Sequence, residues 1–132
     1  MTHLDHTHDT LATSWVESAQ GSDFPIQNLP WGVCSKNGIV VAIGDQVVVV
    51  RKAIDQGVLD LSNNISDALK QINLNEFMSL GSIAWAEARH ALFAMLSSDA
   101  TSDVLCSLSE LQLVLPASIG DYTDFYAARN HA

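Results

Sequence analysis

Three short runs rich in Val and Ile, Leu29 to Ser35, Gly38 to Ile43 and Gln46 to Val50, follow one another with only Lys36-Asn37-Gly38 and Gly44-Asp45 between them. Short apolar, β-branched runs bounded by turn-forming residues read as strands, and breaks this brief join neighbours antiparallel. The pattern therefore predicts a meander of three strands. Asn37-Gly38 predicts a type I′ turn, whose two central residues both take positive φ. Val47-Val48-Val49-Val50 shows no polar alternation, so this run is expected to be covered on both faces, as in a small barrel or a sheet beneath a helix.

Beyond Arg51 the periodicity turns helical. Short helices are expected around Ile54 to Gly57 and Ser66 to Ile72, and a longer one from Leu80 to Ser98. In the long one, Leu80, Ala84, Ala88, Ala91 and Met95 recur at spacings of three and four, widened by Trp85, Leu92 and Leu96, which marks the face that packs on the sheet. Asn75 reads as the N-cap of a turn through Phe77 and Met78, and Ser97-Ser98-Asp99 ends the long helix. Leu111 to Pro116 reads as a strand stopped by proline. Before all of this, Met1 to about Ser22 is polar, with Leu11, Trp15 and Val16 enough for one short amphipathic turn. The expected class is mainly β with helices (α+β). Its parts are a flexible N-terminal arm over 1–21, one domain over 22–117 and a further segment over 118–132.

Composition narrows the function. A chain of 132 residues, 48% hydrophobic, supports one core. A formal charge of −9 repels phosphate backbones and anionic lipid, so neither nucleic acid nor a membrane surface is an expected partner. The longest apolar stretch, Ile39 to Val50, is interrupted by Gly44, Asp45 and Gln46 and predicts no transmembrane helix. The first residues carry neither a basic n-region nor an apolar h-region, so no secretory signal is expected. Cys34 and Cys106 stand outside any Cys-x-x-Cys pattern, which fits free thiols and a cytoplasmic location.

Few residues suggest chemistry on their own. Gly44-Asp45 and Gly81-Ser82 lack the frame of a phosphate-binding loop. Ser22, Ser35 and Cys34 have no histidine and acid placed to activate them. His3, Asp5, His6, His8 and Asp9 offer transition-metal ligands on an extended arm, against the plainer reading of a flexible polar segment. His90, beside Glu87 and Arg89, reads as a solvated position without a catalytic role. The densest chemistry lies in Asp121-Tyr122-Thr123-Asp124-Phe125-Tyr126-Ala127-Ala128-Arg129-Asn130-His131. A helix capped by Thr123 would put residues seven apart on one face but about 10 Å apart along the axis. One ion does not easily hold both, so a division of labour follows: Asp124 as an oxygen ligand to Ca²⁺ or Mg²⁺, His131 as a general base. Read alone, the run is more ordinarily a solvated amphipathic helix with Phe125 in the core, and composition by itself would not reveal an enzyme.

Together with Asp23-Phe24-Pro25-Ile26-Gln27-Asn28-Leu29-Pro30 and Ile43-Gly44-Asp45-Gln46, the run Ile119 to Tyr126, followed by His131, resembles the start of fumarylacetoacetase. The similarity extends from about Ser22 to Ala132 and is loose between Val47 and Ser98. Trp31 stands where the family commonly has tyrosine, and Ala127, Ala128 and Asn130 are departures at positions without assigned chemistry. The resemblance implies an SH3-like barrel over 22–117 and the beginning of a catalytic domain over 118–132. It also implies hydrolysis of the carbon–carbon bond of 4-fumarylacetoacetate to fumarate and acetoacetate, in tyrosine and phenylalanine catabolism. Asp124 matches the family's metal-ligating aspartate, Tyr126 a substrate-contacting tyrosine and His131 the water-activating histidine. The cofactor implied is Ca²⁺ or Mg²⁺, with the remaining carboxylate ligands expected downstream. A homodimer through the catalytic domain is implied as well, and this stretch alone is expected to be inactive. The contrasting expectation is a free-standing β-barrel interaction module that docks a partner through strand edges or the Trp31 region.

Overall fold

A computed structural model describes residues 4–98 and 102–119. Strands β1 (Trp31–Cys34), β2 (Gly38–Ile43) and β3 (Gln46–Val49) form the predicted antiparallel meander. Helices α1 (Val50–Asp55), α2 (Asn63–Leu69), α3 (Asn75–Ser79) and α4 (Ser82–Ser97) follow, then strands β4 (Leu105–Ser107) and β5 (Leu113–Val114). The sheet has five strands in the order β4-β3-β2-β1-β5, and every pairing is antiparallel. This is the α+β class the pattern predicted.

The turns differ from expectation in an informative way. Cys34 pairs with Gly38, so three residues link β1 to β2, and of these positions Gly38 alone takes positive φ, at 71°. A type I′ turn would need Asn37 there too; instead the ladder absorbs Gly38 as its first residue, giving a three-residue link closed by a left-handed glycine. The run Val47 to Val50 is covered on both faces as predicted. Val48 and Val50 enter the main core with Val41, Ile43 and the helices, while Val47 and Val49 join Cys34 and Val40 beneath Leu108 and Leu111. Val50 itself opens α1 rather than ending the strand, so the first helix starts earlier than Ile54.

Helix α4 begins at Ser82 because Gly81, at φ 90°, breaks the pattern after Leu80. Its inward face is Ala84, Ala88, Leu92, Phe93, Met95 and Leu96; Trp85 lies 44% exposed at the border of that face. Helix α2 is shifted toward the N-terminus of the predicted span, leaving Ile72 exposed. Glu87 of α4 supplies the cap at its start by accepting from Ser62 N–H at 2.7 Å and Ser62 Oγ at 2.9 Å, and these bonds hold the Glu87 carboxyl below its usual pKa. Strand β4, for which no element was foreseen, extends the sheet outside β3 through Val47–Cys106 and Val48–Leu105 pairs. Three residues carry too little periodicity to announce a strand.

The flexible arm is a correction. Thr7, Val16 and Ala19 are fully or almost fully buried, and Val16, Ala19, Ile26 and Leu29 belong to the main core. Arg89 of α4 binds this stretch: Nε donates to Thr7 Oγ1 at 2.9 Å, Nη2 to the carbonyls of Gln27 at 2.6 Å and Thr7 at 3.2 Å, and Nη1 to Asn28 O at 3.3 Å. Ser14 Oγ donates to Leu96 O at 2.7 Å, and Trp15 Nε1 to Met95 O at 3.0 Å, satisfying carbonyls at the end of α4. The segment also closes over the β2–β3 turn, where Gly44 N–H donates to Phe24 O at 2.7 Å and Asp45 N–H to Ser18 Oγ at 3.1 Å. Polar bonds with fixed partners hold a segment that hydrophobic periodicity alone would leave loose.

Candidate functional site

The sequence placed its chemistry after residue 120, so the relevant local structure is the segment that leads there. Strand β5 leaves β1 after two residues, with Leu113 and Val114 exposed, and Pro116 ends it. The chain is then caught by α3. Leu74 N–H donates to Pro116 O at 2.8 Å. Asn75 brackets Ser118, its Nδ2 donating to Ser118 O at 2.9 Å while its Oδ1 accepts from Ser118 N–H at 2.7 Å. Asn73 adds Nδ2 to Ser118 Oγ at 3.3 Å and accepts Asn75 N–H at 3.0 Å. Asn75 is thus the first residue of α3 and a clasp for the departing chain, not the helix cap it was expected to be. Asp124, Tyr126 and His131 lie outside the described residues.

Beside the clasp runs an apolar groove of about 370 Å³ lined by Trp31, Leu74, Phe77, Met78 and Trp85. The Trp31 and Phe77 rings pack at 4.9 Å between centroids with an interplanar angle of 46°, and Trp85 Nε1 donates to Phe77 O at 3.0 Å. Both indole frames are therefore fixed while Met78 and Trp85 remain nearly half exposed. The lining contains no titratable group, so the groove suits apolar contact rather than proton transfer.

The other candidates keep structural roles. Burial raises the pKa of the Cys34 thiol, with Cys106 adding to the effect, so Cys34 stays protonated and a poor nucleophile. Ser22 Oγ donates to Ala19 O at 2.9 Å. His90 is exposed, but it is not merely solvated: its Nε2 lies 2.7 Å from Asp5 Oδ2. Sequence reasoning missed the Asn73–Asn75 clasp, and the spacing Asn-Leu-Asn at the start of a helix was the only available signal. It also missed the approach of His90 to the N-terminal segment, which only the fold reveals.

A family model described as Fumarylacetoacetase N-terminal matches residues 27–116. The chain belongs to that family. Relatives named fumarylacetoacetase agree: one from Dictyostelium discoideum is 39% identical over 93% of this chain, one from Homo sapiens 42% identical over 90%, and one from Caenorhabditis elegans 41% identical over 90%. In each case the chain spans 32% of the relative's own length. The match covers the sheet and helices of this fumarylacetoacetase N-terminal domain, including the span from Val47 to Ser98 where the resemblance was loosest, while the packed segment before residue 27 lies outside it. Among the described residues, no helix is long and apolar enough to cross a membrane.

Proposed function

We propose that this domain is the N-terminal part of a hydrolase that cleaves the carbon–carbon bond of 4-fumarylacetoacetate to fumarate and acetoacetate. The observation that carries the reading is the similarity to relatives named fumarylacetoacetase over at least nine-tenths of the chain. In this reading the domain is an SH3-like support, and the Asn73–Asn75 clasp holds Ser118, the point from which residues 118–132 begin the catalytic part. Downstream residues of the same protein cover the groove of Trp31, Phe77 and Trp85, and the assembled enzyme is a cytoplasmic homodimer.

The described residues test poorly as a Ca²⁺ or Mg²⁺ site. Their one group of three possible metal ligands, Asp5, His6 and His90, has two imidazoles, whereas these hard cations take oxygen donors. Asp124 has the right chemistry but supplies one carboxylate, so the remaining ligands come from downstream. When bound, the cation would supply Lewis-acid polarisation of the substrate carbonyl. His131 takes the proton of the attacking water, a task suited to a group that titrates near neutrality, and the Tyr126 phenol orients the substrate by hydrogen bonding.

The test is His131→Ala in the full-length protein. Turnover of 4-fumarylacetoacetate is expected to fall by about 100-fold or more, with unchanged circular dichroism. Turnover equal to the parent's removes His131 from the mechanism, and a full-length parent without this activity removes the reading altogether.

A further inference from the structure

The N-terminal segment meets α4 through more than the Arg89 bonds. Asp5, His6 and His90 each bring one ligand atom, a carboxylate oxygen or an imidazole nitrogen, and these atoms lie within 4.8 Å of one another. Two of the three belong to the histidine-rich start of the chain, and the third is brought by folding from α4, 85 positions beyond Asp5. From this convergence we propose that Asp5, His6 and His90 form a binding site for a divalent transition metal of the Zn²⁺ class, which ties the N-terminal segment to α4.

The surroundings prepare the three groups. The Asp5 carboxylate is aimed by Thr7, whose N–H and Oγ1 donate to Oδ1 at 2.9 and 2.6 Å, and Thr7 is itself fully buried and bound by Arg89. Oδ2 is thereby left on the side of His90, 2.7 Å from Nε2. The His6 ring stands edge-on to Phe93 at 5.6 Å and tilted against His90 at 5.2 Å, so both imidazoles are held by the same helix. Partners that orient ligating groups in this way are characteristic of metal centres.

Two imidazoles and one carboxylate suit Zn²⁺, Ni²⁺, Co²⁺ or Cu²⁺, and three protein ligands leave a fourth position for water. Ligand bonds of about 2.0–2.2 Å require donors roughly 3.3–3.6 Å apart in a tetrahedron. Reaching that spacing takes a movement of about an ångström, within the range of exposed side chains that rotate about staggered torsions. Arg89, whose charge interacts with that of Asp5, turns its guanidinium to oxygens of Thr7, Gln27 and Asn28, and the chain as a whole carries −9. His8 Nδ1 accepts Asp5 N–H at 3.1 Å and stays outside the ligand set.

The experiment is a calorimetric titration of the 132-residue chain with Zn²⁺, repeated with Co²⁺ to read coordination from its visible absorption. One ion per chain is expected, with a Co²⁺ spectrum of tetrahedral type. His6→Ala and His90→Ala, both at exposed positions, should each weaken binding by about tenfold or more with unchanged circular dichroism. The variant His3→Ala should keep the parent's affinity. Absence of binding to the parent overturns the proposal. So does parent-like affinity in His90→Ala, which moves the ligands onto the N-terminal segment alone, or a loss in His3→Ala as large as that in His90→Ala, which makes the ligand set a different one.

Discussion

The two ends of the described chain reach the central sheet and helices by opposite means. The N-terminal segment buries Thr7, Val16 and Ala19 and satisfies groups on α4 and on the β2–β3 turn. The C-terminal segment, from Leu111 to Ile119, is held by a two-residue strand, backbone bonds from Ser35 to Gln112 O and from Leu74 to Pro116 O, and the Asn73–Asn75 clasp, and leaves Leu113, Val114, Leu115 and Ile119 exposed. Apolar content does not explain the difference, since the C-terminal stretch is the more apolar of the two. What differs is whether polar groups find buried partners. A hydrogen bond adds little net when water is the alternative, but leaving a buried donor or acceptor unmet costs far more, so a segment whose buried side-chain polar groups find partners can be fixed without an apolar stripe.

The sharpest way to break the N-terminal closure is Gly44→Ala. Gly44 sits at φ 60°, and a Cβ there would lie 2.7 Å from the Ala19 nitrogen and the Ser18 carbonyl carbon and would collide with Ser18 Oγ. Left-handed strain and steric exclusion act together, and about 3 kcal/mol of stability should be lost in urea unfolding. Gly57→Ala is the control: its φ is 73°, but nothing lies within 4 Å, so only the conformational cost of about 1 kcal/mol applies. Equal losses for the two would show that the N-terminal segment does not press on the β2–β3 turn.

Next in size is Arg89→Ala. It removes four hydrogen bonds from a charged donor and leaves Thr7 and Gln27 carbonyls to find other partners. About 2–3 kcal/mol should go, with amide exchange accelerating over residues 7–28 more than in the sheet. Uniform acceleration across the domain would mean that the segment and the core unfold as one unit.

This contrast also explains how far the sequence could be read. The meander of β1 to β3, the doubly covered valines and the inward face of α4 were legible because burial there follows periods of two and 3.6. Thr7, Ser14 and Arg89 were not, since their burial depends on partners up to 82 positions away. The histidines at the start of the chain were visible as possible ligands, but His90 was not visible as their companion. Asp124, Tyr126 and His131 were legible only through resemblance, because nothing in their spacing separates a catalytic helix from a solvated one.

The smallest expected effect is at the C-terminal clasp. Asn75→Ala removes two hydrogen bonds to Ser118 at exposed positions where water replaces both partners, so global stability should change by less than about 0.5 kcal/mol. Its local consequence is larger. Without the bracket, Ser118 keeps the single Asn73 Nδ2 bond at 3.3 Å, with the Leu74 N–H to Pro116 O bond and the short β5 pairing before it, and proteolysis between residues 115 and 119 should become faster while cleavage within residues 5–28 is unchanged. In the full-length protein the same variant should lower turnover more than stability, because the segment that carries Asp124 to His131 would start from a less defined point. Turnover that tracks stability alone would make the clasp a surface detail. Turnover that falls while the melting temperature holds would make it the joint between support and site.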